Sequence, residues 1–340
     1  MSKSQKRRAK AALSPVRKQR AVWRKESMRE KTEKIQQEIR GVIMGKDDVV
    51  EKVLMAVLAN GHVLLEDVPG VGKTTLTLAL AKAMGLETRR VQFTSDTVPS
   101  DVIGFSIPER GSGEFVYKPG AVMTNILLAD EINRTSSKTQ SALLEAMEER
   151  HVTVDGHTHA LPEPFIVLAT QNPLGSAGTQ QLPASQLDRF MIRLSMGYPD
   201  FESQVDILLQ RSEKNPLADM QSVMTRAELV ALIEQVAGVY TSDGVCRYIT
   251  SLTEATRVHP MVETGVSPRG ALALMKMSKA RAFLQGRDYC TPEDVEAVAE
   301  DVYAHRLILS TKARFNESSA ADIMREILGQ VNMPVLREMK

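Results

Sequence analysis

The sequence predicts an α/β protein: a three-layer αβα sandwich on a parallel five-stranded sheet, followed by an all-α domain. Three observations predict it. A short apolar run, Val63 to Glu66, is delivered by a Pro/Gly-rich turn into Lys73-Thr74 and an apolar-periodic helix from Leu76 to Ala83. Further short apolar runs then alternate with helical patterns as far as Ser195. Beyond Pro199-Asp200 the pattern is almost wholly helical.

The first stretch reads as a phosphate cradle. Gly70 and Gly72 let backbone N–H groups converge on a phosphate without Cβ clashes, Lys73 reaches the phosphate oxygens, and the Thr74 hydroxyl is suited to Mg²⁺. Pro69, Val71 and Thr75 complete the binding segment. The helix N-terminus adds partial positive charge. The generic pattern has Gly where this chain has Asp67, one departure in an otherwise matching strand–turn–helix context.

A chain of 340 residues buries a sizeable core and suggests two domains. Its two cysteines, Cys246 and Cys290, form no CxxC pair, which argues against a disulfide framework and fits a reducing, cytoplasmic setting. No run of about 18 apolar residues occurs, so no membrane span is expected. The net charge of +1 hides an asymmetry: residues 1–34 hold thirteen Lys/Arg against three Glu, leaving −9 on the remainder. This basic head, poor in apolar residues, reads as a disordered extension that could touch anionic surfaces.

In order, a helical pattern through Ile35, Ile39, Val42 and Ile43 breaks at Gly45, and a second spans Asp47 to Ala59. A strand follows at Arg90 to Phe93, and Thr97 to Ile103 starts a helix. Phe105 to Pro108 and Phe115 to Tyr117 flank a turn-rich centre and read as a hairpin interrupting that helix. The third strand, Ile126 to Ala129, ends in Asp130-Glu131. Asp130 is expected to hold Mg²⁺, and Glu131 to orient and polarise the attacking water.

Ser141 to Glu149 is an amphipathic helix, and a second hairpin turns about Asp155-Gly156. His157 and His159 share a face of it; two ligands without a third make a poor metal site, so both read as solvated. The fourth strand, Phe165 to Thr170, leads to Asn172, an amide that meets the γ-phosphate or lytic water if this strand neighbours the third. Arg189 precedes the fifth strand, Met191 to Ser195. Helices are expected at 202–210, 225–239, 243–257, 268–284 and 291–309, with Leu272, Leu274, Met275 and Met277 as core of the helical domain.

The motifs GHVLLEDVPGVGKTT, LLADEINR, LATQNP, LDRF and VSPRGALAL, in that order, resemble the MoxR group of AAA+ ATPases from about Ile39 to Leu309. The resemblance implies a P-loop NTPase (AAA+) domain at 35–199 with insert hairpins at 104–118 and 151–163, a helical lid at 200–311, and a C-terminal helix and tail at 312–340. It implies ATP and Mg²⁺ as ligands, Asn172 as sensor 1, Arg189 as arginine finger, Arg269 as sensor 2 in cis or in trans, and Ile43, Met44 and Gly45 packing on adenine. It further implies a homo-oligomeric, hexameric ring acting on a protein client with a von Willebrand factor A-domain partner. The alternatives are a nucleic-acid motor and a nucleotide switch. A DNA tracker needs cations in its hairpins, yet residues 151–163 have no Lys or Arg, and Arg110 and Lys118 are offset by Glu109 and Glu114. The Asp130-Glu131 pair argues against a switch.

Overall fold

The structure is a computed structural model that describes residues 15–68, 70–110, 114–172, 182–213 and 215–334, with backbone alone at 15–27 and 211–213. Helix α1 (Pro15–Arg40) enters before the sheet, so residues 15–34 are helical where a disordered extension was expected. Its later turns have a reason to form: Thr32, Ile35 and Ile39 are buried against the main core. Helix α2 (Asp47–Leu58) opens with Asp47 and Asp48, which complement the helix dipole, and buries Val50, Val53, Leu54 and Val57.

The α/β unit then follows as β1 (Val63–Glu66), α3 (Lys73–Ala83), β2 (Thr88–Gln92), α4 (Pro99–Ile103), the hairpin β3 (Gly104–Pro108) and β4 (Phe115–Pro119), and β5 (Ile126–Asp130). After a 3-10 turn (Ile132–Arg134) come α5 (Ser137–Glu149), the hairpin β6 (His151–Val154) and β7 (His157–Ala160), β8 (Ile166–Gln171), the short α6 (Ala184–Leu187) and β9 (Ile192–Leu194). The five long-range strands pair in parallel in the order β2-β5-β8-β1-β9.

Alternation along each strand makes the layers. Val63, Leu65, Ile126, Leu128, Ile166 and Leu168 face one core, shared with α1, α2 and α3. Leu64, Leu127, Ala129, Val167 and Ala169 face the other, against α4 and α5. The αβα sandwich expected from the sequence is therefore the observed one.

The remainder comprises α7 (Phe201–Glu213), α8 (Pro216–Asp219), α9 (Arg226–Ala237), α10 (Asp243–Val258), β10 (Val262–Thr264), α11 (Pro268–Leu284), α12 (Pro292–Tyr303), a second 3-10 turn (Ala304–Arg306), β11 (Ile308–Leu309), α13 (Thr311–Phe315) and α14 (Ala320–Gln330). Its core is continuous with that of α1 to α3. One expectation is corrected here. The helix expected over 291–309 ends at Tyr303, because the next residues are drawn elsewhere: Arg306 bonds back to Asp188 and Phe190, and Ile308–Leu309 pairs with Val262–Thr264. No Gly or Pro marks this end; tertiary contacts override the helical pattern. The C-terminal helix, α14, buries Ile323, Met324 and Ile327 in the same core. Among the described residues no helix is long and apolar enough to cross a membrane.

Candidate active site

The C-terminal ends of β1, β8 and β5 lie side by side, and the groups expected to handle a triphosphate hang from them. Gly70 and Gly72 carry φ of 89° and 102°, conformations that side chains avoid, so the turn after β1 requires glycine. Lys73 opens α3, buried, with Nζ donating to the Asp67 carbonyl at 2.8 Å. Burial pushes its ammonium below the ordinary lysine value, opposed by the carboxylates of Asp67, Asp130 and Glu131. Thr74 and Thr75 follow in the first turn of α3, Val71 precedes it, and Pro69 lies outside the described residues.

Asp130 is buried at the end of β5. Its Oδ1 accepts from Thr170 Oγ1 at 3.2 Å, and its Oδ2 pairs with Arg90 Nε at 2.6 Å. Glu131 is held at φ 56°, ψ 46°, a left-handed conformation that costs about 1–3 kcal/mol in a non-glycine residue. The conformation is fixed by Glu131 N–H donating to Thr170 Oγ1 at 2.9 Å, and the carboxylate is gripped by Arg134 at 2.7 Å. Asn172 follows β8, between the cradle strand and the acidic strand, which meets the neighbour condition the sequence left open; its carbonyl accepts from Asn133 Nδ2 at 3.4 Å. A carboxylate and a hydroxyl are hard oxygen donors, so Asp130 and Thr74 fit Mg²⁺ by chemistry. Gly45, before α2, has φ 67° and abuts Ser203 of α7; a Cβ there would meet Ser203 Oγ at 2.2 Å.

Arg189 is not among these groups. It precedes β9, which runs parallel to β1 with Val63 opposite Ile192 and Leu65 opposite Leu194. Lys73 follows the C-terminal ends of these strands and Arg189 precedes their N-terminal ends, so a strand length, roughly 13 Å for four residues, lies between the two levels. At that far end Arg189 Nε donates to Glu148 Oε2 at 3.0 Å, and Arg269 Nη2 donates to the other oxygen of the same carboxylate. Both arginines line one cavity of about 360 Å³ with Leu272 and Lys276. Leu272, expected in the lid core, is instead 56 % exposed there.

Several residues that organise this end escaped sequence reading. Asp188 accepts from Arg306 Nε at 2.7 Å and from Ser267 Oγ at 2.8 Å, tying the turn that bears Arg189 to the start of α11, where Arg269 sits. Gly270 permits this approach, since a Cβ would fall 2.8 Å from Arg306 Cδ. The acid next to Arg189 was the available signal; its partners, 79 and 118 residues away, were not visible. In the hairpins, His159 stacks on Tyr117 at 3.8 Å between ring centroids, so it is not simply solvated, whereas His157 is exposed.

Comparison with known proteins agrees with this architecture. The model of the ATPase family associated with various cellular activities (AAA) matches residues 62–192, and that of the AAA lid domain matches 254–327. The uncharacterised protein YeaC of Bacillus subtilis is 50 % identical over 299 residues, covering 88 % of this chain and 93 % of that one. Chaperone MoxR1 of Mycobacterium tuberculosis is 39 % identical over 306 residues, 87 % of this chain and 81 % of its own. A crystal structure of a candidate ATPase from Cytophaga hutchinsonii superposes with a TM-score of 0.87 at 37 % identity, over 93 % of this chain and 99 % of that one. With its P-loop, acidic strand and helical lid in this arrangement, the chain belongs to the MoxR family of AAA+ ATPases.

Proposed function

We propose that this protein hydrolyses ATP at sites shared between adjacent copies in a homo-oligomeric, hexameric ring, and uses the cycle to remodel protein clients with a von Willebrand factor A-domain partner. The observation that carries the shared site is the separation of Lys73 and Arg189 to opposite ends of parallel strands. A guanidinium at the N-terminal end of β9 cannot reach phosphates seated on its own chain's cradle, but it can reach a neighbour's in a head-to-tail contact. Arg269 shares Glu148 with Arg189, so it belongs to the same edge and acts in trans.

In this reading Ile43, Met44 and Gly45 pack on adenine, the turn from Pro69 to Gly72 wraps the phosphates, and Lys73 neutralises their β and γ oxygens. Thr74 and Asp130 would hold Mg²⁺, which when bound would supply charge compensation to the phosphates. Glu131 takes the proton of the attacking water, and Asn172 orients that water. Arg189 and Arg269 of the adjacent copy meet charge that builds on the γ-phosphoryl oxygens as the leaving bond loosens.

A protein client is favoured over a polyanion by what the hairpins present. Phe105, Phe115, Ile107 and Val116 of β3 and β4 are exposed, Phe115 by 72 %, an apolar surface suited to polypeptide and offering no row of cations to a phosphate backbone.

The test mixes two inactive variants. Arg189→Ala keeps an intact cradle and Glu131→Gln keeps an intact arginine edge, so about a quarter of the interfaces in a random equal mixture are complete and mixing should restore about a quarter of the wild-type rate per ring. A mixture as inactive as its components overturns the shared site. Adding single-stranded DNA should leave the ATPase rate unchanged.

A further inference from the structure

Asp67 stands where the phosphate-cradle pattern has glycine, yet its backbone does not need one: it is absent from the positive-φ positions of this chain. What the position contributes is a carboxylate, 6 % exposed, and three donors converge on it. Ser195 Oγ donates to Oδ1 at 2.9 Å, Gly197 N–H donates to Oδ1 at 3.1 Å, and Met196 N–H donates to Oδ2. All three belong to the connector between β9 and α7, the only covalent path from the sheet into the lid. The same residue's carbonyl takes the Lys73 ammonium at 2.8 Å. One residue thus holds the phosphate-binding lysine through its main chain and the lid connector through its side chain.

The connector meets the nucleotide-facing segments at further points. Lys46 Nζ donates to the Tyr198 carbonyl at 2.8 Å, Gly45 abuts Ser203, and Met196 Cε lies 3.8 Å from where a Gly72 Cβ would stand. Asp200 caps the start of α7 by accepting from Ser203 N–H at 2.8 Å. The cradle turn is therefore joined to α7 by hydrogen bonds and packing as well as by the chain itself.

We propose that Asp67 is a positioning residue that couples occupancy of the P-loop to the placement of the 195–200 connector, and through it of the lid. The proposal rests on the reading that a triphosphate lodges at Lys73. Phosphate oxygens compete for the lysine ammonium with charge-assisted bonds stronger than one to a neutral carbonyl. When Lys73 leaves the Asp67 carbonyl, the Asp67 peptide is freed to shift, and the connector held by the carboxylate shifts with it. Glycine at this position would still cradle phosphate but would release the connector.

Hydrogen–deuterium exchange of the full-length protein, with and without Mg·ATPγS, tests the coupling. In the wild type, nucleotide should change exchange across residues 195–205 by about fivefold or more. In Asp67→Gly, binding of Mg·ATPγS measured by calorimetry should stay within roughly fivefold, while the response at 195–205 disappears and kcat falls about tenfold with KM nearly constant. Ser195→Ala removes one donor alone and should about halve the response, which keeps the test available if Asp67→Gly does not fold. A full response in Asp67→Gly or in Ser195→Ala overturns the proposal, as does a wild type that binds nucleotide with no change at 195–205. A wild type that binds no nucleotide overturns the shared-site reading itself, and this proposal with it.

Discussion

The two ends of the parallel sheet are built by different means. At the C-terminal end, Asp130 closes β5, Glu131 and Asn172 follow β5 and β8 directly, and Lys73 opens α3 after the turn from β1; Lys73 rests on Asp67 and Glu131 on Arg134, while Thr170 and Arg90 brace the acidic pair from the neighbouring strands. At the N-terminal end, Arg189 and Arg269 come from separate domains and meet on Glu148 of α5, while Asp188 ties their two segments together. The first end is a grip written in contiguous motifs; the second is a charged edge assembled by long-range ion pairs. In the shared-site reading proposed above, this edge serves a neighbouring copy, and the ion pairs within the subunit hold its geometry.

The strongest test of this contrast removes the guanidinium. Arg189→Ala should lower kcat by about 10³-fold and leave nucleotide affinity close to wild type, because the loss falls on the transition state and on another subunit's site. If affinity falls in step with kcat in dilute, monomeric protein, Arg189 touches its own nucleotide and the two ends are not functionally separate.

At the opposite end, Glu131→Gln should reduce turnover by about 10²-fold or more while ATP still binds, since an amide keeps the shape but takes no proton. Lys73→Ala differs in kind: it should lose measurable binding in calorimetry. Equal hydrolysis by wild type and Glu131→Gln would remove Glu131 from the role of base.

A smaller effect is expected where the two domains are joined. Asp188→Ala leaves Arg306, 7 % exposed, without its carboxylate, and should destabilise the fold by about 3 kcal/mol in urea titrations. Replacing both, as Asp188→Ala with Arg306→Met, should recover part of that loss, because the penalty lies in the stranded charge rather than in the absent bond. Additive losses in the double variant would show that Asp188 acts through Ser267 alone.

This contrast also explains what could be read from the sequence. The five strands, the two hairpins and the cradle were legible because their signals are local: short continuous apolar runs, Asp155-Gly156, and glycine ahead of Lys73. The end of α12 at Tyr303 was not, since the residues that stop it, Asp188 and Phe190, lie more than a hundred positions earlier. Leu272 was misjudged for a related reason: its helical spacing is that of a core residue, but Arg269, one turn earlier on α11, already faces the cavity at the sheet's end. Helix α1 carries few apolar residues in its basic half, and its later turns are anchored by contacts far away in sequence: Thr32, Ile35 and Ile39 are buried, and Lys31 pairs with Glu228.

The smallest effect lies beneath the arginine edge, in the way β1 begins. His62 is buried, with Nδ1 accepting from Val167 N–H at 3.0 Å and Nε2 donating to the Met147 carbonyl at 3.1 Å, so the neutral ring satisfies both bonds. Burial first, and the Arg150 guanidinium second, push its pKa down to about 3. The unfolded chain binds a proton near pH 6.5 and the folded chain does not, so the contribution is complete above about 6.5 and is lost as pH falls toward 3. Per histidine the slope is at most about 1.4 kcal/mol per pH unit in that window. His305, also buried and depressed, adds in the same direction. Urea midpoints of wild type and His62→Gln at pH 7.5 and 5.5 separate the two: the variant should start about 1 kcal/mol less stable and lose less on acidification. An identical acid loss in both would place the sensitivity outside the first residue of the β1 entry and leave His305, which bonds Phe190 beside Arg189, as the group that makes the arginine end acid-labile.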